Sequence, residues 1–238
     1  MAPLVKFEDW GEVDYREAWD KQTALSDGLI KAKRSGITLA AEKEGPNHHL
    51  IFCHHPHVYT LGKSGKQDHL LLDQREMGQK GVSFYKINRG GDITYHGPGQ
   101  LVGYPIFDLE YFFKDVRKYI HSIEASIISM LAEFEIEAGR QEGYTGVWLP
   151  AGEGRKNRKI CAIGVHLSRW VSMHGFALNV NTDLNFFNHI IPCGIQEPDK
   201  EVTSMNQELG GEVDMDSVKQ VLKEKFSAEF GFDYFPER

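Results

Sequence analysis

The chain has 238 residues, 41% hydrophobic and 26% charged, with a formal net charge of -7. That is the make-up of a soluble globular protein long enough to bury a sizeable core, and its acidic balance argues against a general nucleic-acid binder. No run of about 18 apolar residues predicts a membrane span, and the N-terminus shows no secretory pattern. Three cysteines (Cys53, Cys161 and Cys193) with no CxxC pair predict a reduced, cytoplasmic setting.

Val5 and Phe7 alternate with polar neighbours and predict an opening strand. From Asp14 to Arg34 a helix is predicted. Tyr15, Ala18, Trp19, Gln22, Leu25, Leu29 and Ala32 recur three or four apart on one face, and Gly36 supplies a stop. Residues 37–41 and 48–52 read as two strands about the turn Gly45-Pro46-Asn47. His54, His55 and His57 invite a metal reading. No Cys or Asp cluster accompanies them and Pro56 breaks any helix that would align them, so a strand end and loop is predicted and no metal site. Lys63-Ser64-Gly65-Lys66 is a basic loop, and LGKSGK lacks the spacing of a phosphate loop. Residues 82–88 predict a strand.

The most informative stretch comes next, RGGDITYHGPGQLVGYPIFDL from Arg89 to Leu109. Its glycines weaken a strand, yet Ile93, Tyr95, Leu101, Val102 and Tyr104 suit one. Two readings stay open. Two short strands and a glycine-rich bend form a binding wall against a ligand, or the stretch is a tight hairpin turning at Gly90-Gly91 and Gly97-Pro98-Gly99.

Asp115 is placed to cap a helix running through Glu137, with Val116, Tyr119, Ile120, Ile123, Ile127, Met130, Leu131 and Phe134 as its core stripe. Val147-Trp148-Leu149 starts a strand. The tip from Gly152 to Lys159 carries Arg155, Lys156, Arg158 and Lys159, and the alternation from Ile160 onward predicts a β-hairpin system. His174, Asn179, Asn181 and Asp183 are polar positions in that strand-like run. Residues 185–194 form a hydrophobic loop. Ser204 and Gln207 have capping-box spacing for a short helix ended by Gly210-Gly211, and residues 216–230 are an amphipathic helix. Strands in the middle with helices around them predict an α/β (α+β) fold, a mixed sheet flanked by helices. It is read as a single domain over 1–238 with a helical tail from about 204.

Cys193 lies between Pro192 and Gly194, where the glycine leaves space beside the thiol. A thiol becomes a nucleophile when a nearby cation stabilises its thiolate, and Lys159 is the candidate. Residue types alone leave open the plainer alternative of a buried cysteine and an exposed loop lysine.

RGGDITYHGPGQLVGYPIFDL resembles the signature of the lipoyl(octanoyl) transferases, the octanoyl-carrier-protein:protein octanoyltransferases. HPHVYTLG, RKICAIGVH, MHGFALNVNTDL and IIPCGI are similar to further family segments, in family order and at comparable spacing, from the Tyr15 helix to about Glu208. The resemblance implies the catalytic fold of the biotin and lipoate protein ligases. It implies that Cys193 takes the acyl group as a thioester and that Lys159 activates it. It implies an acyl pocket lined by Arg89, Gly90, Gly91, Asp92, Ile93, Thr94, Tyr95 and His96, by Ala162, Ile163 and Gly164, and by Gly175, Phe176 and Ala177. Cys161 departs from the family pattern, which often has a small residue without a thiol there. The implied reaction is the first step of endogenous lipoate biosynthesis. Octanoyl-acyl carrier protein is the donor, and the acceptors are lipoyl domains of 2-oxoacid dehydrogenases and the glycine cleavage H protein. No cofactor is implied, and neither nucleic acid nor membrane is a partner. Small residues at Gly90, Gly91, Gly164 and Gly175 are expected to make room for the acyl chain. The Arg155–Arg158 tip, with Lys63 and Lys66, is the expected docking surface for an acidic carrier. Two alternatives are an ATP-dependent lipoate or biotin ligase on the same fold, and a non-catalytic acyl- or metal-binding module.

Overall fold

The computed structural model describes residues 2–35, 48–152, 154–191 and 199–236. Gly36, the strand expected over 37–41, the Gly45-Pro46-Asn47 turn, and Cys193 with Pro192 and Gly194 lie outside the described residues. The strands, in chain order, are β1 (Leu4–Glu12), β2 (His48–His54), β3 (Val58–Leu61), β4 (Ser83–Lys86), β5 (Ile93–His96), β6 (Gln100–Ile106), β7 (Gly139–Gln141), β8 (Tyr144–Leu149), β9 (Asn157–Ser168), β10 (Val171–Asn179), β11 (Lys200–Val202) and β12 (Asp233–Tyr234). Among the described residues they build a large mixed sheet ordered β12-β1-β2-β6-β10-β9-β8-β7, with β11 beside β9, and a small sheet ordered β4-β3-β5. The helices are α1 (Tyr15–Arg34), α2 (Gln74–Lys80), α3 (Val116–Glu133), α4 (Met205–Leu209) and α5 (Met215–Phe230).

Strand alternation sorts the large sheet into two faces. On one, Leu101 and Leu178 meet Ile123, Ile127 and Met130 of α3 and Leu222 and Phe226 of α5. On the other, Val102 and Ala177 join Ala18 and Leu29 of α1. The α1 helix begins where Asp14 accepts from the Arg16 and Glu17 amides, and α3 where Asp115 accepts from the Lys118 amide at 3.0 Å. The α3 helix stops at Glu133 rather than Glu137, because Glu135 turns left-handed at φ 59°. The capping box expected at Ser204 does not form: its hydroxyl turns to the Asn206 side chain, and no side-chain cap is made to α4.

The hairpin reading of Arg89–Leu109 is overturned. β5 pairs antiparallel with β3, whereas β6 pairs with β2 and β10. The two strands thus belong to different sheets. The Gly97–Gly99 turn, closed by Gln100 N–H donating to Gly97 O at 3.2 Å, carries the chain from the small sheet to the large one. The segment therefore stands at the junction of the sheets, where a cleft can open.

Candidate active site

The site forms along a stretch of β9 that is paired on one edge only. At its start β9 lies between β8 and β11, and its pairing with β8 reaches only as far as Cys161. From Ala162 onward its regular partner is β10. On the free edge the turn after β4 folds back, and Gly90 N–H donates to Val165 O at 2.9 Å. Beside this edge lies a cavity of about 480 Å³, walled by the Arg89–Thr94 turn, by Val116 and Ile120 of α3, and by apolar residues of β9 such as Ile163, Val165 and Leu167. Lys159, Tyr144 and Thr145 close it on the β8 side. A second chamber of about 50 Å³ shares Arg89, Thr94, Ala162, Ile163, Gly164 and Ala177 with the first.

Most of the expected residues meet here. Lys159, Arg89, Gly90, Gly91, Asp92, Ile93, Thr94, Ala162, Ile163, Gly164 and Ala177 line the larger cavity. His96, Gly175 and Phe176 line the chamber. Tyr95 lines neither. Alternation along β5 turns it away from Thr94 and His96, so its ring stacks on Phe186 at 4.9 Å and its hydroxyl bonds His57 Nδ1 at 2.7 Å.

Two glycines serve a different end from the one expected. A Cβ on Gly175 would stand 2.1 Å from Gly103 O, so the missing side chain lets β10 and β6 pack, not the acyl chain enter. A Cβ on Gly164 would meet Gly90 O at 3.0 Å and Arg89 Cδ at 3.1 Å, so this glycine seats the Arg89–Gly91 turn on β9.

Lys159 reaches the cavity across Gly146 and lies over the Trp148 ring at 4.9 Å. Its backbone is held by Trp148 on β8, by Val202 on β11, and by Thr203 N–H donating to Lys159 O at 2.9 Å. Cys161 is fully buried, and burial pushes its thiol well above the ordinary range, so it is an inert core side chain.

A directed hydrogen-bond chain fixes the wall opposite. Arg89 donates to Thr60 O at 2.7 Å and to Thr60 Oγ1 at 3.1 Å. Gln100 Oε1 accepts from His96 Nδ1 at 2.9 Å, which leaves His96 Nε2 to accept from Thr60 Oγ1 at 3.4 Å. Gln100 Nε2 donates to Asn179 Oδ1 at 3.0 Å, and Asn179 Nδ2 to Thr203 O at 2.9 Å. Burial holds His96 neutral, well below the ordinary histidine range. Gln100 and Asn179 line the cavity without having been singled out for it; a polar side chain inside an otherwise apolar strand was their signal. Val116 and Ile120, read as core stripe, overhang the cavity instead, and Val116 is 42% exposed.

The histidine cluster splits up. His55 is buried between Val13 O and the Tyr104 hydroxyl, both at 2.7 Å, His57 meets Tyr95, and His54 lies 3.6 Å from Glu12. The basic tip is divided, with Arg155 and Lys156 exposed and Arg158 turned inward. Arg158 is buried and donates to Glu208 at 2.8 Å, and Arg155 reaches the same carboxylate at 3.2 Å. Among the described residues no helix is long and apolar enough to cross a membrane.

The model of the lipoyl protein ligase A/B catalytic domain matches residues 14–227. An octanoyltransferase of Cytophaga hutchinsonii is 54% identical over 95% of this chain and 92% of its own length. The chain belongs to this family. A Flavobacterium johnsoniae octanoyltransferase, also 54% identical, covers 93% of this chain and 94% of its own. Membership among the octanoyltransferases makes the protein an acyltransferase. Solved structures agree on the fold. A bi-partite lipoate protein ligase from Thermoplasma acidophilum superposes with a TM-score of 0.69 at 16% identity, covering 99% of this chain and 87% of that one. Lipoate-protein ligase A bound with ATP gives 0.67 at 16% identity, covering 100% and 89%.

Proposed function

We propose that this octanoyltransferase moves an octanoyl group from octanoyl-acyl carrier protein to the target lysine of lipoyl domains, through a thioester on Cys193. The observation that carries the reading is the 480 Å³ cavity, largely apolar along β9 and α3, with the Lys159 amine at its β8 wall. Such a space suits a neutral alkyl chain, whose burial is worth about 0.8 kcal/mol per methylene.

In the proposed sequence Lys159 takes the proton of the Cys193 thiol. The thiolate attacks the thioester carbonyl of the donor, the carrier sulfur leaves with a proton, and the octanoyl group stays on Cys193. The neutral amine of the acceptor lysine then attacks this second thioester, and the Cys193 sulfur leaves as the amide forms, taking up through Lys159 the proton the amine loses. An amide is more stable than a thioester, so no nucleotide is consumed.

The test is mass spectrometry of the protein mixed with octanoyl-acyl carrier protein. A single octanoyl adduct on Cys193, lost in Cys193→Ala and slowed about 100-fold or more in Lys159→Met, is the expected result. No adduct on Cys193, or transfer that requires ATP and free octanoate, refutes the reading in favour of a ligase.

A further inference from the structure

Arg89 is buried and makes no salt bridge among the described residues; the Asp92 carboxylate acts on its charge only from beyond contact. Its donations go to Thr60 O, Thr60 Oγ1 and Gly90 O, and its Nε has no hydrogen-bond partner. The nearest acid in sequence, Asp92, uses its oxygens on His69 Nδ1 at 2.6 Å and on the Ile93 amide at 2.7 Å. A buried guanidinium left in this state is costly unless something polar reaches it.

The 50 Å³ chamber beside Arg89 has the means to supply that. It has room for at least one water, and its walls include Tyr15, Thr94, His96, Tyr104 and His174. The hydrogen-bond roles of two of these are fixed. Burial holds His55 and His174 neutral, at about 4 and about 3. His55 Nδ1–H donates to Val13 O, so His55 Nε2 accepts from the Tyr104 hydroxyl, and the Tyr104 oxygen, which the Gln22 side chain also approaches, keeps a lone pair as an acceptor. His174 Nε2–H donates to Asn88 Oδ1 at 2.8 Å, which leaves its Nδ1 as an acceptor. The chamber thus combines an unpartnered cationic donor with neutral acceptors, a set suited to ordered water.

We propose that this chamber is a hydrated end-stop for the acyl chain, in which water held by Arg89, Tyr104 and His174 sets the upper limit on chain length. The inference rests on the proposed octanoyl transfer. The chamber adjoins the larger cavity across walls the two share, so it is the space proposed to receive a chain longer than the cavity accommodates. There the extra methylenes displace water from a buried cation and gain none of the usual benefit of burial.

Two measurements test this. The first is the ratio of kcat/KM for decanoyl- over octanoyl-acyl carrier protein, in wild type and in Tyr104→Phe. Removing the hydroxyl weakens the hold on water, and the ratio is expected to rise about fourfold, the worth of one methylene admitted to an apolar site. An unchanged ratio overturns the end-stop. The second is a high-resolution crystal structure of the wild-type protein. Water within hydrogen-bonding distance of Arg89 Nε supports the proposal, and a dry chamber overturns it. The crystallographic arm holds whatever the activity, whereas a wild type that transfers no octanoyl group refutes the proposed function itself.

Discussion

Gly164 and Gly175 occupy opposed positions on β9 and β10, yet replacing each by alanine is predicted to fail in a different way. In Gly175→Ala the new Cβ stands 2.1 Å from Gly103 O and 2.7 Å from Pro105 Cδ. The first is backbone of a central strand, so β6 and β10 must separate. Overpacking of this kind costs about 3 kcal/mol or more, against about 0.5 kcal/mol recovered from the stiffer unfolded chain. For a chain of this size the net loss is a fall in Tm of about 5–10 °C. In Gly164→Ala the Cβ meets Gly90 O at 3.0 Å and Arg89 Cδ at 3.1 Å. The turn, half-exposed at Gly90, can yield by a few tenths of an ångström, so the stability cost is about 1 kcal/mol or less. The same shift moves the Arg89–Thr94 cavity wall, and octanoyl transfer should fall about tenfold. Calorimetry and single-turnover acylation, run on both variants, separate the two effects. If Gly175→Ala melts within about 2 °C of wild type, or if Gly164→Ala acylates at the wild-type rate, the assignment of these glycines is wrong.

Three further outcomes are expected. Burial holds His48, His55 and His174 at about 4, about 4 and about 3, below the ordinary 6.5, so between these values the unfolded chain binds more protons than the folded one. Stability should be full above pH 6.5 and fall as the pH drops, by about 2 kcal/mol per histidine at pH 5; a urea midpoint equal at pH 7 and pH 5 would contradict this. Glu208→Ala leaves the Arg158 guanidinium, 10% exposed, without its carboxylate, and should cost about 3–5 kcal/mol in chemical denaturation, while Glu208→Leu combined with Arg158→Met should cost far less. Cys161→Ala should leave the octanoyl adduct undiminished, since the thiol is buried and held protonated; loss of the adduct would make Cys161 the acylated residue.

Much of this protein is legible from residue order alone, because the signals are local. Helix α1 begins at its Asp14 cap, and the 3.6-residue spacing of Val218, Leu222 and Phe226 marks α5 as a core helix. Separated family segments in fixed order pointed to the acyltransferase family and singled out Lys159, which lines the larger cavity. What residue order left undecided were long-range matters. The Arg89–Leu109 stretch reads locally as a hairpin, and only the partners β3 on one side and β2 and β10 on the other place its strands in separate sheets. A glycine in a strand is the same letter whether it admits a ligand or a neighbouring strand, and Gly175 proved to do the second because Gly103 O stands where its Cβ would reach. Within the basic tip Arg158 reads as one more surface cation, and only the fold brings Glu208 of α4 onto it. The larger cavity exists because β8 and β9 part after Cys161, and the unpartnered Nε of Arg89 is visible only from its surroundings. Spacing along a chain sets backbone conformation and amphipathic faces; which face meets which, and what charge is left without a partner, is decided by contacts between residues far apart in sequence.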